Sequence, residues 1–194
     1  MLVDEYRRSL KMPQAEEAFD IIFYRPLAFI FVKLVYRLPV TPNQVTMLSL
    51  FAGLLAALFF SFGHPVYLIW AALWYAIANI LDCADGQLAR LQSSGTPLGR
   101  VVDGFADYVS SVAIFLGIGI GLAASGISAW WLVLFAGVSS AIHAMFFDHY
   151  QSEFISTVRG EKNFLDREIR QFTADIDLLK GKQGRRFRIM ILTL

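Results

Sequence analysis

Charge is missing from two long stretches of this 194-residue chain. Between Leu38 and Leu81 there is no Asp, Glu, Lys or Arg, and between Tyr108 and Phe147 there is again none. Each stretch is about twice the ~20 apolar residues that cross a bilayer. A single buried soluble core is set aside on that ground, because soluble chains rarely go so far without a charge. Cysteine is nearly absent as well: the lone Cys83 excludes an intramolecular disulfide. The N-terminus opens with Asp4, Glu5, Arg7 and Arg8 rather than a short apolar run, so it is not a cleavable signal. The net charge is only +1, and nucleic acid is not an expected partner.

Turn residues stand near the middle of each charge-free stretch, Gly63-His64-Pro65 in the first and Ser125-Gly126 in the second. The pattern predicts two helical hairpins, with spans at about 42–62, 66–90, 98–124 and 128–148. All 17 Lys and Arg lie before Leu38, at Arg90 and Arg100, or from Arg159 onward, so neither turn carries one. The positive-inside rule then places the N-terminus, the 91–98 link and the segment after 150 in the cytoplasm, and both turns outside. Trp70, Trp74, Trp130 and Trp131 read as an aromatic belt on the outer side.

Residues 1–40 mix bases with Phe, Leu and Val, which suits an amphipathic helix lying in the membrane interface. Thr41 and Pro42 form an N-cap and first helical position for the first span. The free backbone N–H groups there favour an anion such as a phosphate. Residues 41–150 are expected to form a four-helix transmembrane core, and 151–186 a polar cytoplasmic segment. In that segment Leu165, Ile169, Phe172, Ile176 and Leu179 make one apolar helical stripe. The basic run Arg185-Arg186-Phe187-Arg188 precedes a short apolar end. Residues 187–194 thus read as the start of a fifth span in a truncated sequence.

Against this background four acids stand out: Asp82, Asp85, Asp103 and Asp107, at the cytoplasmic ends of the second and third spans. Residues three or four apart share a helix face. Asp82 and Asp85 therefore point together, as do Asp103 and Asp107. The 91–98 link lets the two helices pack antiparallel, so the four carboxylates converge. Carboxylates at the edge of hydrocarbon are costly unless they hold something positive. Oxygen-only ligands suit hard cations such as Mg²⁺ or Mn²⁺. Four carboxylates exceed what one Mg²⁺ takes, and two ions sharing ligands fit better. Ala84, Gly86, Ala89, Gly99, Gly104 and Ala106 leave room for close helix approach and for a ligand. Arg90, one turn beyond Gly86, can pair with a phosphate. Thr96 offers a hydroxyl at the same depth. Cys83 reads as a small filler, His64 as inert, and His143 with Asp148-His149-Tyr150 as an interfacial end to the fourth span.

The run Asp82-x-x-Asp85-Gly86-x-x-Ala89-Arg90, residues 91–98, then Gly99-x-x-x-Asp103-x-x-x-Asp107 resembles the complete signature of the CDP-alcohol phosphotransferases. The resemblance implies an all-α polytopic membrane bundle of six spans with an N-terminal interfacial helix, of which this chain holds four and the start of a fifth. It implies transfer of a phosphatidyl group from CDP-diacylglycerol to a polar alcohol with release of CMP, in phospholipid synthesis. Glycerol phosphate, inositol phosphate and serine are all acceptors within the family. It further implies a homodimer in a bacterial inner membrane, with its site on the cytoplasmic face. Asp82, Asp85 and Asp103 would hold one divalent cation. Asp82, Asp103 and Asp107 would hold the second, with Asp107 also the catalytic base. Asn43, Gln44, Val45 and Thr46, together with Gly86, Arg90 and Thr96, would contact the CDP moiety. The rival readings are a donor other than CDP-diacylglycerol, a divalent-cation transporter, and an inactive fragment of the same family.

Overall fold

The charge-free stretches fold into the helices that their length demands. The computed structural model describes residues 2–10, 19–158 and 173, and among these there is no strand. The helices are α1 (Leu2–Ser9), α2 (Arg25–Val35), α3 (Pro42–Ser61), α4 (Pro65–Gln92), α5 (Pro97–Ala124) and α6 (Trp130–Val158). Four stretches, Pro42–Ser61, Pro65–Gln92, Gly99–Ala124 and Trp130–Val158, are long and apolar enough to cross a membrane.

Three of these helices start by the same device. Thr41, His64 and Thr96 are N-caps, each followed by proline at the first helical position, where a missing N–H is harmless. At α3 the cap is a complete capping box: Thr41 Oγ1 accepts from Gln44 N at 3.4 Å, and Thr41 N donates to Gln44 Oε1 at 3.0 Å. His64, read from the sequence as inert, accepts from Val66 N through Nδ1 at 3.4 Å. The turn between α3 and α4 needs Gly63, which sits at φ +65°.

The fourth helix corrects one expected boundary. It does not stop near 148 but continues to Val158. No glycine or proline occurs between Val138 and Val158, so nothing breaks the helix where it leaves the apolar layer. The polar segment expected from residue 151 therefore begins inside α6. The stripe from Leu165 to Leu179 and the fifth-span start at 187–194 lie outside the described residues.

Two helical pieces of the N-terminal segment are described. A π-helical turn, Asp20–Tyr24, runs into α2, and α1 is a separate piece. Tyr6 of α1 stacks edge-on against Phe29 of α2, with ring centroids 5.2 Å apart. Lys33 of α2 pairs with Glu5 of α1. Ala28 and Val32 of α2 are fully buried, while Ile30 and Leu34 are exposed, which gives α2 one packed face and one outward face.

The chain forms two compact units, 1–144 and 145–194. In the first, α4 and α5 both pack along α3. Small residues permit this. A Cβ at Gly117 of α5 would lie 2.2 Å from the Ala57 carbonyl oxygen, and one at Gly121 would lie 2.2 Å from that of Phe60. The two backbones are therefore nearly in contact, as at small-residue interfaces in membranes. The buried cluster of Val45, Ala52, Ala78, Leu81, Ala84 and Leu88 joins α3 to α4. Ser49 Oγ donates to the Ala78 carbonyl across the same seam at 3.0 Å. Trp74, expected in the outer belt, instead packs against this cluster. It stands nine residues into α4, ~14 Å along the helix from Pro65. In the second unit Ile155 and Ser156 are buried, and His149 Nε2 stands 4.0 Å from Glu153.

Candidate metal centre

α4 carries its acids far from its start. Seventeen residues of helix separate Pro65 from Asp82, ~26 Å of rise against a hydrocarbon layer of ~30 Å. α5 starts at Pro97 and reaches Asp103 within its second turn. A short link joins the two helices, so both acid pairs fall at one end of the bundle. They meet there across a gap rather than along a tight α4–α5 seam. Each helix packs on α3, and the carboxylates span the space between them.

Asp82, Asp85 and Asp103 each present an oxygen such that all three atoms lie within 4.8 Å of one another. The Asp107 carboxyl lies beside that of Asp82, and the Asp103 carboxyl beside that of Asp85. Among the four, Asp85 is buried, Asp82 and Asp103 are half-buried, and Asp107 is exposed. Thr46 Oγ1 donates to Asp85 Oδ2 at 2.6 Å, tying the start of α3 to the cluster. Asp103 Oδ1 is buried and has no hydrogen-bond partner among the described residues. An orphaned buried carboxylate oxygen is costly unless something positive meets it. With oxygen-only donors around it, the set fits a hard divalent cation.

The signature glycines have physical reasons. A Cβ at Gly86 would lie 3.5 Å from the Arg90 guanidinium nitrogens, so the arginine side chain folds back along the helix over Gly86. Arg90 Nε also donates to the Ser9 carbonyl of α1, and Ser9 is fully buried. A Cβ at Gly99 would lie 3.2 Å from Asn43 Oδ1 and 3.1 Å from Thr96 Oγ1. The starts of α3 and α5 thus converge on Gly99. Thr96 is already engaged as a cap, its Oγ1 accepting from Gly99 N at 3.0 Å.

Asn43 and Thr46 at the start of α3, Gly86 and Arg90 on α4 and Thr96 at the start of α5 are therefore placed at the end of the bundle where the acids lie. The other two expected nucleotide contacts sit differently. Gln44 is exposed and held in the capping box, and the Val45 side chain is buried in the α3–α4 cluster. Sequence reasoning missed Gln87. Its side chain is fully buried, and its Nε2 donates to the Arg25 carbonyl at 3.0 Å, pinning α2 to α4. An amide inside an otherwise apolar helix face was the available signal.

Comparison with known proteins agrees with this arrangement. Residues 39–162 match the family model described as CDP-alcohol phosphatidyltransferase. The chain is 38% identical over 104 residues to the phosphatidylinositol phosphate synthase of Corynebacterium glutamicum, covering 52% of this chain and 41% of that protein. It is 29% identical over 137 residues to the enzyme of the same name from Mycolicibacterium smegmatis, covering 70% and 54%. It is 32% identical over 89 residues to the archaetidylinositol phosphate synthase of Pyrococcus horikoshii, covering 46% of each. The chain spans about half the length of these relatives. The match takes in all four acids, both signature glycines and the helices that place them, and the chain belongs to the CDP-alcohol phosphatidyltransferase family.

Proposed function

We propose that this protein transfers a phosphatidyl group from CDP-diacylglycerol to a polar alcohol, releasing CMP, with two divalent cations, Mg²⁺ or Mn²⁺, held by the acid cluster. The convergence of three carboxylate oxygens within 4.8 Å, beside an orphaned oxygen of Asp103, carries this reading. Asp82, Asp85 and Asp103 hold one cation, and Asp82, Asp103 and Asp107 the other. When bound, such ions neutralise a pyrophosphate and make CMP a better leaving group. Asp107, the most exposed of the four acids, receives the proton of the attacking hydroxyl. Arg90, Asn43 and Thr96 line the approach for the nucleotide, with Gly86 leaving it space. The relatives' names point to an inositol phosphate as the first acceptor to test.

The test is CMP release from CDP-diacylglycerol by the protein in lipid vesicles, with inositol phosphate, glycerol phosphate and serine offered separately. Release should require one of these acceptors together with Mg²⁺ or Mn²⁺, and should stop in excess EDTA. Undiminished turnover in EDTA would remove the two-metal reading.

We infer from the distribution of bases that the site faces the cytoplasm, in an inner membrane, and a family homodimer would bring two such sites into one particle. Lys and Arg are absent between Val101 and Val158 and between Leu38 and Leu81, which supports external turns. A cysteine introduced at Ser125 should react with a membrane-impermeant maleimide added outside intact cells, and one at Ser94 should react only after lysis. The parent, whose single thiol is Cys83, is the control. Reversed labelling would overturn the orientation.

A further inference from the structure

Thr46 lies one turn inside α3, and its hydroxyl reaches two acceptors. Asp85 Oδ2 is 2.6 Å away and the Pro42 carbonyl oxygen 3.2 Å. A hydroxyl has one proton to donate. The shorter contact, to a carboxylate, is in the range of a charge-assisted O–H···O⁻ bond and takes it. The longer contact is the i−4 approach that threonine makes in helices, and it selects the rotamer that aims Oγ1 at Asp85. Thr46 is 4% exposed and Asp85 5%, so little water competes for either group. The helix beneath Thr46 is fixed by the Thr41–Gln44 capping box.

We propose that Thr46 is a positioning residue for the metal centre: its hydroxyl holds Asp85 in the orientation in which that carboxylate serves as a cation ligand. This rests on the metal-centre reading above and replaces a direct nucleotide role for the Thr46 side chain. Fixing one carboxylate oxygen fixes the plane of the group and hence where the second oxygen stands. Without the hydroxyl, the carboxylate rotates, and a buried oxygen loses its donor. Hydrogen bonds that orient metal ligands in this way typically change metal affinity by ~10–100-fold.

The test measures Mn²⁺ binding by electron paramagnetic resonance in detergent, with no nucleotide present, and CMP binding separately at saturating Mn²⁺. Thr46→Val keeps the shape and removes the hydroxyl, and Thr46→Ser keeps the hydroxyl. Thr46→Val should weaken Mn²⁺ by ~10–100-fold, while Thr46→Ser stays close to the parent. Normal Mn²⁺ affinity in Thr46→Val with weakened CMP binding would make Thr46 a nucleotide contact and overturn the proposal. Equal loss in both variants would assign the effect to packing rather than to the hydroxyl, and would also overturn it. A parent protein that binds no Mn²⁺ would sink the metal centre itself, and this proposal with it.

Discussion

Asp82→Asn should lose metal binding and turnover together. Asp82 belongs to the triplet within 4.8 Å, and its carboxyl also lies beside that of Asp107. On the proposed assignment it is shared by both cations, so no other acid can replace it in either set. Asparagine keeps the volume and one acceptor oxygen but removes the charge. Loss of a single preorganised electrostatic contact in a site of this kind commonly costs ~10²–10³ in rate, and a shared ligand should cost at least the upper figure. Mn²⁺ titration and CMP release measured on the same preparation check this. A variant that binds Mn²⁺ with the parent's affinity would remove Asp82 from the metal centre.

The parts of this protein that were legible in its sequence are those ruled by long-range solvent physics. Helices α3, α4 and α5 lie where the charge-free stretches and their turn residues put them, because hydrocarbon leaves the backbone few alternatives to helix. The convergence of the acids followed from helical spacing and a short link. What was not legible depends on contacts between elements distant in sequence. The sequence pointed to α4 packing on α5, yet both lie along α3, because Gly117 and Gly121 bring the α3 and α5 backbones together. Nothing local to Thr46 announces Asp85, which is 39 residues away. Nothing local to Arg90 announces the Ser9 carbonyl, 81 residues away. The overrun of α6 to Val158 came from treating the membrane boundary as a helix boundary. Loss of hydrophobicity ends a span but does not end a helix, and the next glycine is Gly160.

Asp107→Asn should separate chemistry from binding. Asp107 sits one turn beyond Asp103 on α5 and outside the triplet that gathers within 4.8 Å. It is exposed where the other three acids are buried or half-buried, and its carboxyl still lies beside that of Asp82. Removing a general base typically costs ~10²–10⁴ in rate. Asp107→Asn should lose turnover by that factor while retaining CDP-diacylglycerol binding in the presence of metal, because the inner triplet is untouched. The contrast with Asp82→Asn, which should lose both, is what makes the pair informative. If Asp107 instead only pairs with an arginine at the membrane surface, its asparagine variant should turn over within a few-fold of the parent. That result would end its assignment as the base and leave the inner metal site standing on Asp82, Asp85 and Asp103. Donor binding lost along with turnover would show that Asp107 is as necessary to the cation as the inner acids are. The proton of the acceptor would then need another destination.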